Sequence, residues 1–140
     1  MIALNEAIKL KGNFSDILLH IGECHYRLSQ YSLAIQCFNS GLNSETERKE
    51  VYSLRGDAHM RENNFEEAIK DFDSYLQYSP DNPNVIFKHG LVKYCLEQYK
   101  EAIVDFSSCL KIDSQHKDAL KYRTDSYKAL GLVDEVNQDL

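Results

Sequence analysis

One phrase recurs three times in this chain at a fixed interval of 34 residues. It reads YSLAIQCFNSGL at 31–42, FEEAIKDFDSYL at 65–76 and YKEAIVDFSSCL at 99–110. In the middle copy the apolar residues Phe65, Ala68, Ile69, Phe72 and Leu76 follow the spacing of one face of an α-helix. No residue is inserted or lost between copies, so the pattern predicts equivalent helical units.

A second helical element precedes each phrase. Gly22, Gly56 and Gly90 keep the 34-residue interval, each twelve residues ahead of the alanine in its phrase. The helical patterns that contain them run over roughly 15–28, 49–61 and 83–96. A glycine inside a helix costs about 1 kcal/mol against alanine, so a regularly placed one indicates close backbone approach. Each unit is therefore predicted to be a helical hairpin, and such hairpins bury their apolar faces only by stacking on their neighbours.

Two capping patterns support the division into helices. Asn82 is a good N-cap residue, and Pro83 follows it at the first helical position, where a missing N–H costs nothing. Asn64 is followed three positions later by Glu67, which resembles a capping box. Both patterns predict a helix start just after the asparagine.

The composition excludes several classes of partner. The 140 residues carry 16 basic and 22 acidic side chains, a net charge of −6, without a dense run of lysine or arginine. Nucleic acid, which is bound by clustered basic residues, is therefore not expected. No apolar run approaches the ~20 residues that span a bilayer, and the opening MIALNEAIKLKGN lacks the apolar segment of a signal peptide. We expect no membrane association and a cytoplasmic location.

Four cysteines stand at positions 24, 37, 95 and 109, and none forms a C-x-x-C pair. Two disulfides are conceivable in an oxidising compartment, but reduced, buried thiols are favoured in a cytoplasmic chain. Cys24 falls at a small, core-facing helical position, close to His20 and His25. Two ligands on one helical turn make half a zinc site, and no matching pair follows, so core packing is favoured over a metal site.

The motifs typical of catalysis are missing from the sequence. RGD at 55–57 falls in the middle of a predicted helix, which favours packing over adhesion. Cys24 and His25 are adjacent in sequence and so point to different sides of a helix, unlike a nucleophile and its base. The sequence contains no glycine-rich phosphate loop, H-E-x-x-H or G-x-S-x-G. We expect no enzymatic activity, no cofactor and no metal.

The 34-residue hairpin resembles the tetratricopeptide repeat (TPR). The middle copy matches that pattern with Tyr52, Gly56, Phe65, Ala68, Phe72 and Pro80. The resemblance implies an all-α fold, a right-handed α-α superhelix (solenoid) of antiparallel helix pairs. It also implies one array over 1–140, divided into a partial repeat at 1–14, complete repeats at 15–48, 49–82 and 83–116, and a partial repeat at 117–140. In the first segment, which reads as a second helix, Leu4, Ala7, Ile8 and Leu10 are in register.

One position departs from the family pattern in three copies. Arg55, His89 and Arg123 stand where the family has the leucine before its glycine. Arginine can lay its aliphatic stem along an apolar surface, so the stack remains possible. These and the other departures from the family pattern imply looser packing, most clearly around the final partial repeat at 117–140.

The resemblance also implies a concave groove that binds a peptide or helix of a partner protein. The groove positions are Asp16, His20, Glu23, Arg27, Glu50, Ser53, Asp57, Arg61, Asn84, Phe87, Lys88, Leu91, Tyr94, Lys121, Tyr122 and Asp125, with Leu19 also mapped there. The first two groove helices carry more acid, which favours a partner that is basic at that end, with an apolar residue near Phe87.

One branch of the family clamps the C-terminal carboxylate of heat-shock chaperones with lysine, asparagine and arginine side chains. The matching positions here are Leu19, Glu23, Leu54, Asn84 and Lys88, or, one copy later, Ser53, Asp57, Lys88, Asp118 and Tyr122. An acid that faces a carboxylate repels it, so a chaperone tail is disfavoured.

The alternative function is a structural spacer or a self-association module of a larger TPR protein, with the groove unused. The partial repeats suggest a piece of a longer array, although a naturally short chain, or pairing between exposed ends, remains open.

Overall fold

The computed structural model describes the backbone of residues 2–42 and 48–140 and the side chains from Phe14 onward. The described residues form eight α-helices and contain no β-strand. The helices are α1 (Ile2–Arg27), α2 (Tyr31–Gly41), α3 (Lys49–Arg61), α4 (Phe65–Tyr78), α5 (Pro83–Cys95), α6 (Tyr99–Ile112), α7 (Lys117–Ala129) and α8 (Val133–Asp139). Each helix packs on the next along the chain. The fold is the predicted all-α superhelix of antiparallel helix pairs.

The turn inside each helix pair contains one residue in the left-handed backbone region. These residues are Ser29, Asn63, Glu97 and Gly131, spaced by 34 residues, with φ values of 60°, 62°, 60° and 71°. Only glycine adopts this conformation without a steric penalty, so the other three turns accept a small local cost. The shared geometry gives every hairpin the same tight reversal.

The predicted close approach at the recurring glycines is confirmed. A Cβ added at Gly56 would lie 2.8 Å from the ring of Phe72, and one at Gly90 would lie 2.9 Å from the ring of Phe106. Both phenylalanines are fully buried. Each second helix therefore inserts its phenylalanine against bare backbone of its partner helix.

Helix α1 differs from the prediction at its start. The predicted boundary between a partial repeat at 1–14 and a first repeat at 15 does not interrupt the helix, which runs from Ile2 to Arg27. The join LKGNF has one glycine and no proline, and a single glycine weakens a helix without breaking it. The register predicted for Leu4, Ala7, Ile8 and Leu10 concerns side chains outside the described residues, as does the connection at 43–47. The division into repeats stays a prediction.

The two predicted caps have different outcomes. Asn82 caps α5 as expected, because its side-chain oxygen accepts hydrogen bonds from the backbone N–H groups of Asn84 and Val85 at 3.1 and 3.3 Å. Asn64 precedes α4, but its side chain makes no capping hydrogen bond. Its amide instead lies 3.4 Å from Nδ1 of His59. The capping-box expectation was wrong because the side chain is engaged by the preceding helix.

The expectation of buried thiols was correct only for Cys109. All four cysteines are free thiols, with Cys37 half-buried and Cys24 and Cys95 exposed. Cys24 occupies a position that is buried in interior copies, where its equivalents are Ala58 and Val92, both fully buried. It is exposed because, among the described residues, no helix packs on that side of α1.

The three departures from the family leucine form a repeated polar contact, which we name the polar ladder. Each ladder residue binds one partner 16 residues before it and one 16 residues after it. The sets are Arg55 with Asn39 and Asp71, His89 with Asp73 and Asp105, and Arg123 with Ser107 and Asp139. The donor–acceptor distances lie between 2.5 and 3.3 Å. The sequence suggested looser packing here, but each ladder residue joins its own hairpin to the preceding one.

Candidate functional site

The first helices of successive pairs line the candidate groove. Within the described residues α1 contacts α3, α3 contacts α5 and α5 contacts α7, whereas the second helices do not touch one another. A stack whose first helices are closer together than its second helices curves toward the first helices. The predicted groove residues all lie on these first helices, and Leu19, also mapped to the groove, is fully buried in the core.

Asp57, one of the predicted groove residues, is engaged by contacts within the protein. Its side chain is only 1% exposed. The hydroxyl of Tyr26 donates a hydrogen bond to Oδ2 at 2.5 Å, and Nζ of Lys88 lies 3.2 Å from Oδ1. Nε of Arg61 lies 3.7 Å from Oδ2. Oδ1 has no well-aligned hydrogen bond, so Lys88 holds it as an ion pair. The cluster ties α1, α3 and α5 together and neutralises the acid.

A second predicted acid is also paired. Oδ1 of Asp16 accepts a hydrogen bond from Arg48 at 2.8 Å. Among the predicted groove residues, the exposed ones are His20, Arg27, Glu50, Arg61, Asn84 and Lys121. The half-buried ones are Asp16, Glu23, Ser53, Phe87, Lys88, Leu91, Tyr94, Tyr122 and Asp125. No ion pair within the described residues engages Glu50, and Glu23 meets only His20 at 4.0 Å, so these two acids remain accessible in the first half of the groove.

Aromatic side chains converge in the second half of the groove. Phe87 of α5 lies 4.7 Å from His116 and 6.0 Å from Tyr122, measured between ring centroids. Tyr94 meets Tyr122 edge-on at 5.1 Å. These rings pack on the buried Phe106, whose ring centroid lies 5.8 Å from that of Phe87. The half-buried rings of α5 and α7 thus form one aromatic group that packs on the core around Phe106 and remains partly exposed.

The tyrosine arrangement recurs after two repeats. Tyr26 and Tyr31 meet edge-on at 5.7 Å, and Tyr94 and Tyr99 do so at 5.5 Å. Burial, together with Asp57, raises the pKa of Tyr26, and burial, together with Asp125, raises the pKa of Tyr94. Both hydroxyls therefore stay protonated at neutral pH, and that of Tyr26 is already engaged by Asp57.

The other motifs are structural. Arg55, Gly56 and Asp57 lie in the middle of α3, where each is held by packing or by an ion pair. The part of the chain that the structure describes contains no group of three metal-binding side chains, and none of its helices is long and apolar enough to cross a bilayer.

Sequence reasoning missed two contributors to the groove. Tyr26 was not assigned a role, although it stands 31 residues before Asp57, as Lys88 stands 31 residues after it. His116 was also not assigned a role. Its Nδ1 accepts a hydrogen bond from the N–H of Ala119 and so caps α7. The equal sequence separation of Tyr26 and Lys88 from Asp57 is a signal that could have found Tyr26.

Comparison with known proteins agrees with this geometry. Residues 49–82 match the family described as tetratricopeptide repeat. A comparison with curated proteins gives no match. The fold is similar to the crystal structure of MamA, with a TM-score of 0.86 and 20% identity over 96% of this chain and 79% of that one. The resemblance to the TPR family is confirmed: helices α3 and α4 form a tetratricopeptide repeat, and the fold is that of TPR proteins.

Two further solved structures have the same fold. The first TPR of Spaghetti (RPAP3), bound to an HSP90 peptide, has a TM-score of 0.76 and 19% identity over 84% of this chain and 93% of that one. The TPR domain of Arabidopsis OM64 has a TM-score of 0.75 and 22% identity over 83% of this chain and 96% of that one. At these identities the similarity concerns the fold.

Proposed function

We propose that this chain is a non-enzymatic scaffold that binds a peptide or helix of a partner protein in the groove formed by α1, α3, α5 and α7. The observation that supports the proposal is the half-buried aromatic surface of Phe87, Tyr94 and Tyr122, which belong to the predicted groove helices α5 and α7. Aromatic side chains dominate the energetics of protein interfaces. A known relative in fold, the first TPR of Spaghetti, has a peptide bound.

The partner's anchor is an apolar side chain, and its other end is basic. Leu91 lies between Phe87 and Tyr94 on α5 and completes the apolar surface. Glu23 and Glu50 supply the accessible negative charge over α1 and α3, while Asp57 is neutralised and shielded. An extended peptide or helix that reaches from α7 to α1 would meet the apolar surface first and the acids second.

A chaperone C-terminal tail remains a disfavoured ligand. Of the clamp positions, Leu19 is buried in the core and Lys88 is engaged by Asp57. Glu23 would repel a carboxylate.

We place the protein in the cytoplasm, where free thiols such as those of the described cysteines persist.

The test is selection of peptides from a random display library on the native chain, followed by titration of the selected sequences. We expect an apolar anchor with Lys or Arg on one side of it. The double variant Glu23→Lys/Glu50→Lys should weaken such a peptide about tenfold, and Leu91→Asp more strongly.

Matched controls lie on the second helices. Glu66→Lys/Glu101→Lys changes the net charge equally at exposed sites of α4 and α6, and Val104→Asp adds the same acid on α6. Equal weakening by groove and control variants would contradict groove binding. Equal affinity for peptides of reversed charge would contradict the electrostatic part alone.

The alternative is a structural spacer or self-association module that leaves the groove empty. Within this alternative, exposed apolar side chains on α1, among them Ile17 and Ile21 at 46% and 42% exposure, favour self-association. If the library yields no peptide that the groove variants weaken, this alternative replaces the scaffold proposal.

A further inference from the structure

Two of the three sets of the polar ladder are built around a permanent cation. Arg55 pairs with the carboxylate of Asp71, and Arg123 pairs with that of Asp139. Arginine is always charged in proteins, so these two contacts do not depend on pH. In the remaining set His89 takes the place of arginine, and histidine changes its charge between about pH 5 and pH 8. The joint between the α3/α4 hairpin and the α5/α6 hairpin, which we name the middle joint, therefore contains a titratable ladder residue.

Both ring nitrogens of His89 face carboxylate oxygens. Nδ1 lies 2.7 Å from Oδ2 of Asp105 on α6, and Nε2 lies 2.7 Å from Oδ1 of Asp73 on α4. A neutral imidazole has one N–H, so it can donate to only one carboxylate, and its other nitrogen would direct a lone pair at the second. The imidazolium has two N–H groups and can donate to both. The observed contacts therefore fit the protonated ring.

The charges around His89 balance only when the ring carries its proton. Nζ of Lys93, on the same helix, lies 3.2 Å from Oδ2 of Asp105. This one positive charge faces two carboxylates, so a neutral ring leaves one negative charge uncompensated and an imidazolium leaves none. Helices α3 and α7 also contact α5, but in the described part of the chain His89 has ion pairs and hydrogen bonds only with Asp73 and Asp105. The His89 side chain is only 9% exposed, so solvent screens the imbalance weakly.

His59 shows that burial near an acid does not by itself favour a charged ring. Its Nε2 lies 3.9 Å from Oδ2 of Asp71, and both oxygens of that carboxylate already accept hydrogen bonds from Arg55. Burial lowers the pKa of His59, and the charge of Asp71 opposes this effect only in part. His89 differs from His59 because a carboxylate oxygen contacts each of its ring nitrogens directly.

We propose that His89 makes the middle joint sensitive to pH. The protonated ring links Asp73 of one hairpin to Asp105 of the next, and the neutral ring cannot keep both bonds. The stability that this link contributes is present while the ring is protonated and is lost as the pH rises through the titration of His89. The property belongs to the array itself and holds whether or not a partner occupies the groove.

Urea unfolding of the native protein and of His89→Arg, at about pH 5.5 and about pH 8.5, tests the middle joint. Arginine occupies this ladder position in both other sets and keeps its charge at both pH values. Between the two pH values we expect the urea midpoint of the native protein to fall by about 0.5–1 M relative to that of His89→Arg, the effect of one hydrogen bond to a charged group. The other histidines are the same in both proteins, so their titration cancels in this difference. Midpoints that shift in parallel, or a native protein that gains relative stability at the higher pH, would overturn the proposal.

Asp73→Asn separates the effect of the proton from that of packing. Asn39 is the equivalent acceptor in the preceding ladder set, so an amide fits at this position. An amide can accept a hydrogen bond from a ring N–H or donate one to a bare ring nitrogen, and it therefore suits either form of His89. In the Asp73→Asn background the pH-dependent difference between histidine and arginine at position 89 should fall to less than half. Asp134→Asn removes an exposed acid on α8 and should leave the full difference. An undiminished difference in Asp73→Asn, or an equal reduction in Asp134→Asn, would contradict the link through Asp73.

Discussion

Replacing Arg55 by leucine would restore the residue that the TPR pattern has at this position, yet we expect it to destabilise the protein. Arg55 donates two hydrogen bonds to Asp71, at 2.9 and 2.7 Å, and a third to Asn39 at 3.0 Å. The Asp71 side chain is only 6% exposed. Arg55→Leu would therefore leave a buried carboxylate whose nearest remaining basic group is the His59 ring, at 3.9 Å, and burial lowers the pKa of that ring.

The expected loss follows from the burial of the two partners. Breaking a buried ion pair by removing one partner costs about 3–5 kcal/mol. The Arg55 side chain is 20% exposed, so solvent screens part of this interaction, and we expect a loss of about 2–3 kcal/mol in the free energy of unfolding. Removing both charges in Arg55→Leu/Asp71→Ala leaves no unpaired ion, so the double variant should lie within about 1 kcal/mol of the native protein.

The assay is urea unfolding followed by circular dichroism at 222 nm on four proteins: native, each single variant and the double variant. With a slope of about 2 kcal/mol per M, Arg55→Leu should lower the midpoint by about 1 M. The coupling energy of the cycle should be about 2 kcal/mol. If Arg55→Leu is as stable as the native protein, or if the double variant is no more stable than Arg55→Leu, the ladder does not act through the buried charge.

Three further predictions concern single sites. Asn82→Ala should lower the free energy of unfolding by about 1–2 kcal/mol because Asn82 caps α5, whereas Asn64→Ala should cost less than about 0.5 kcal/mol because Asn64 caps nothing; equal losses in urea would contradict this. Gly56→Ala should destabilise by about 1–3 kcal/mol, since its Cβ would lie 2.8 Å from the ring of Phe72, and a raised Tm would be the opposite result. Burial raises the pKa of Cys109 to about 11, so the stability that its neutral thiol contributes should persist below the ordinary thiol pKa and fall as the pH rises through about 11; in Cys109→Ala this part of the alkaline loss should be absent from the unfolding curves.

The sequence predicted the structural features that recur with the 34-residue interval. The contact of Gly56 with Phe72 follows from spacing because Gly90 and Phe106 repeat it. The helix starts after Asn82 and Asn64 follow from the capping patterns at those positions. Three copies of one helical pattern also required a stacked array, which the fold confirms.

What the sequence did not predict depends on neighbours that differ between copies. Cys24 occupies a position that the period marks as buried, but exposure is decided by the presence of a preceding helix and not by the pattern. Asp57 looked like a free groove acid because Tyr26 and Lys88 lie on other helices, each 31 residues away. Such contacts follow from how much the stack curves, which residue types along a single helix do not encode.

The polar ladder explains why leucine is absent at a position where it would pack well. A leucine gains apolar contact against any neighbouring helix, so it does not discriminate one hairpin order from another. His89 instead brings both ring nitrogens to 2.7 Å from carboxylate oxygens, one on Asp73 of the preceding hairpin and one on Asp105 of its own. Sliding one hairpin by a turn would leave these partly buried groups unpaired, at a cost of about 1–3 kcal/mol each. We interpret the ladder as a device that selects the correct stacking register, which predicts that apolar replacements of a whole ladder set preserve stability while they lower the cooperativity of unfolding.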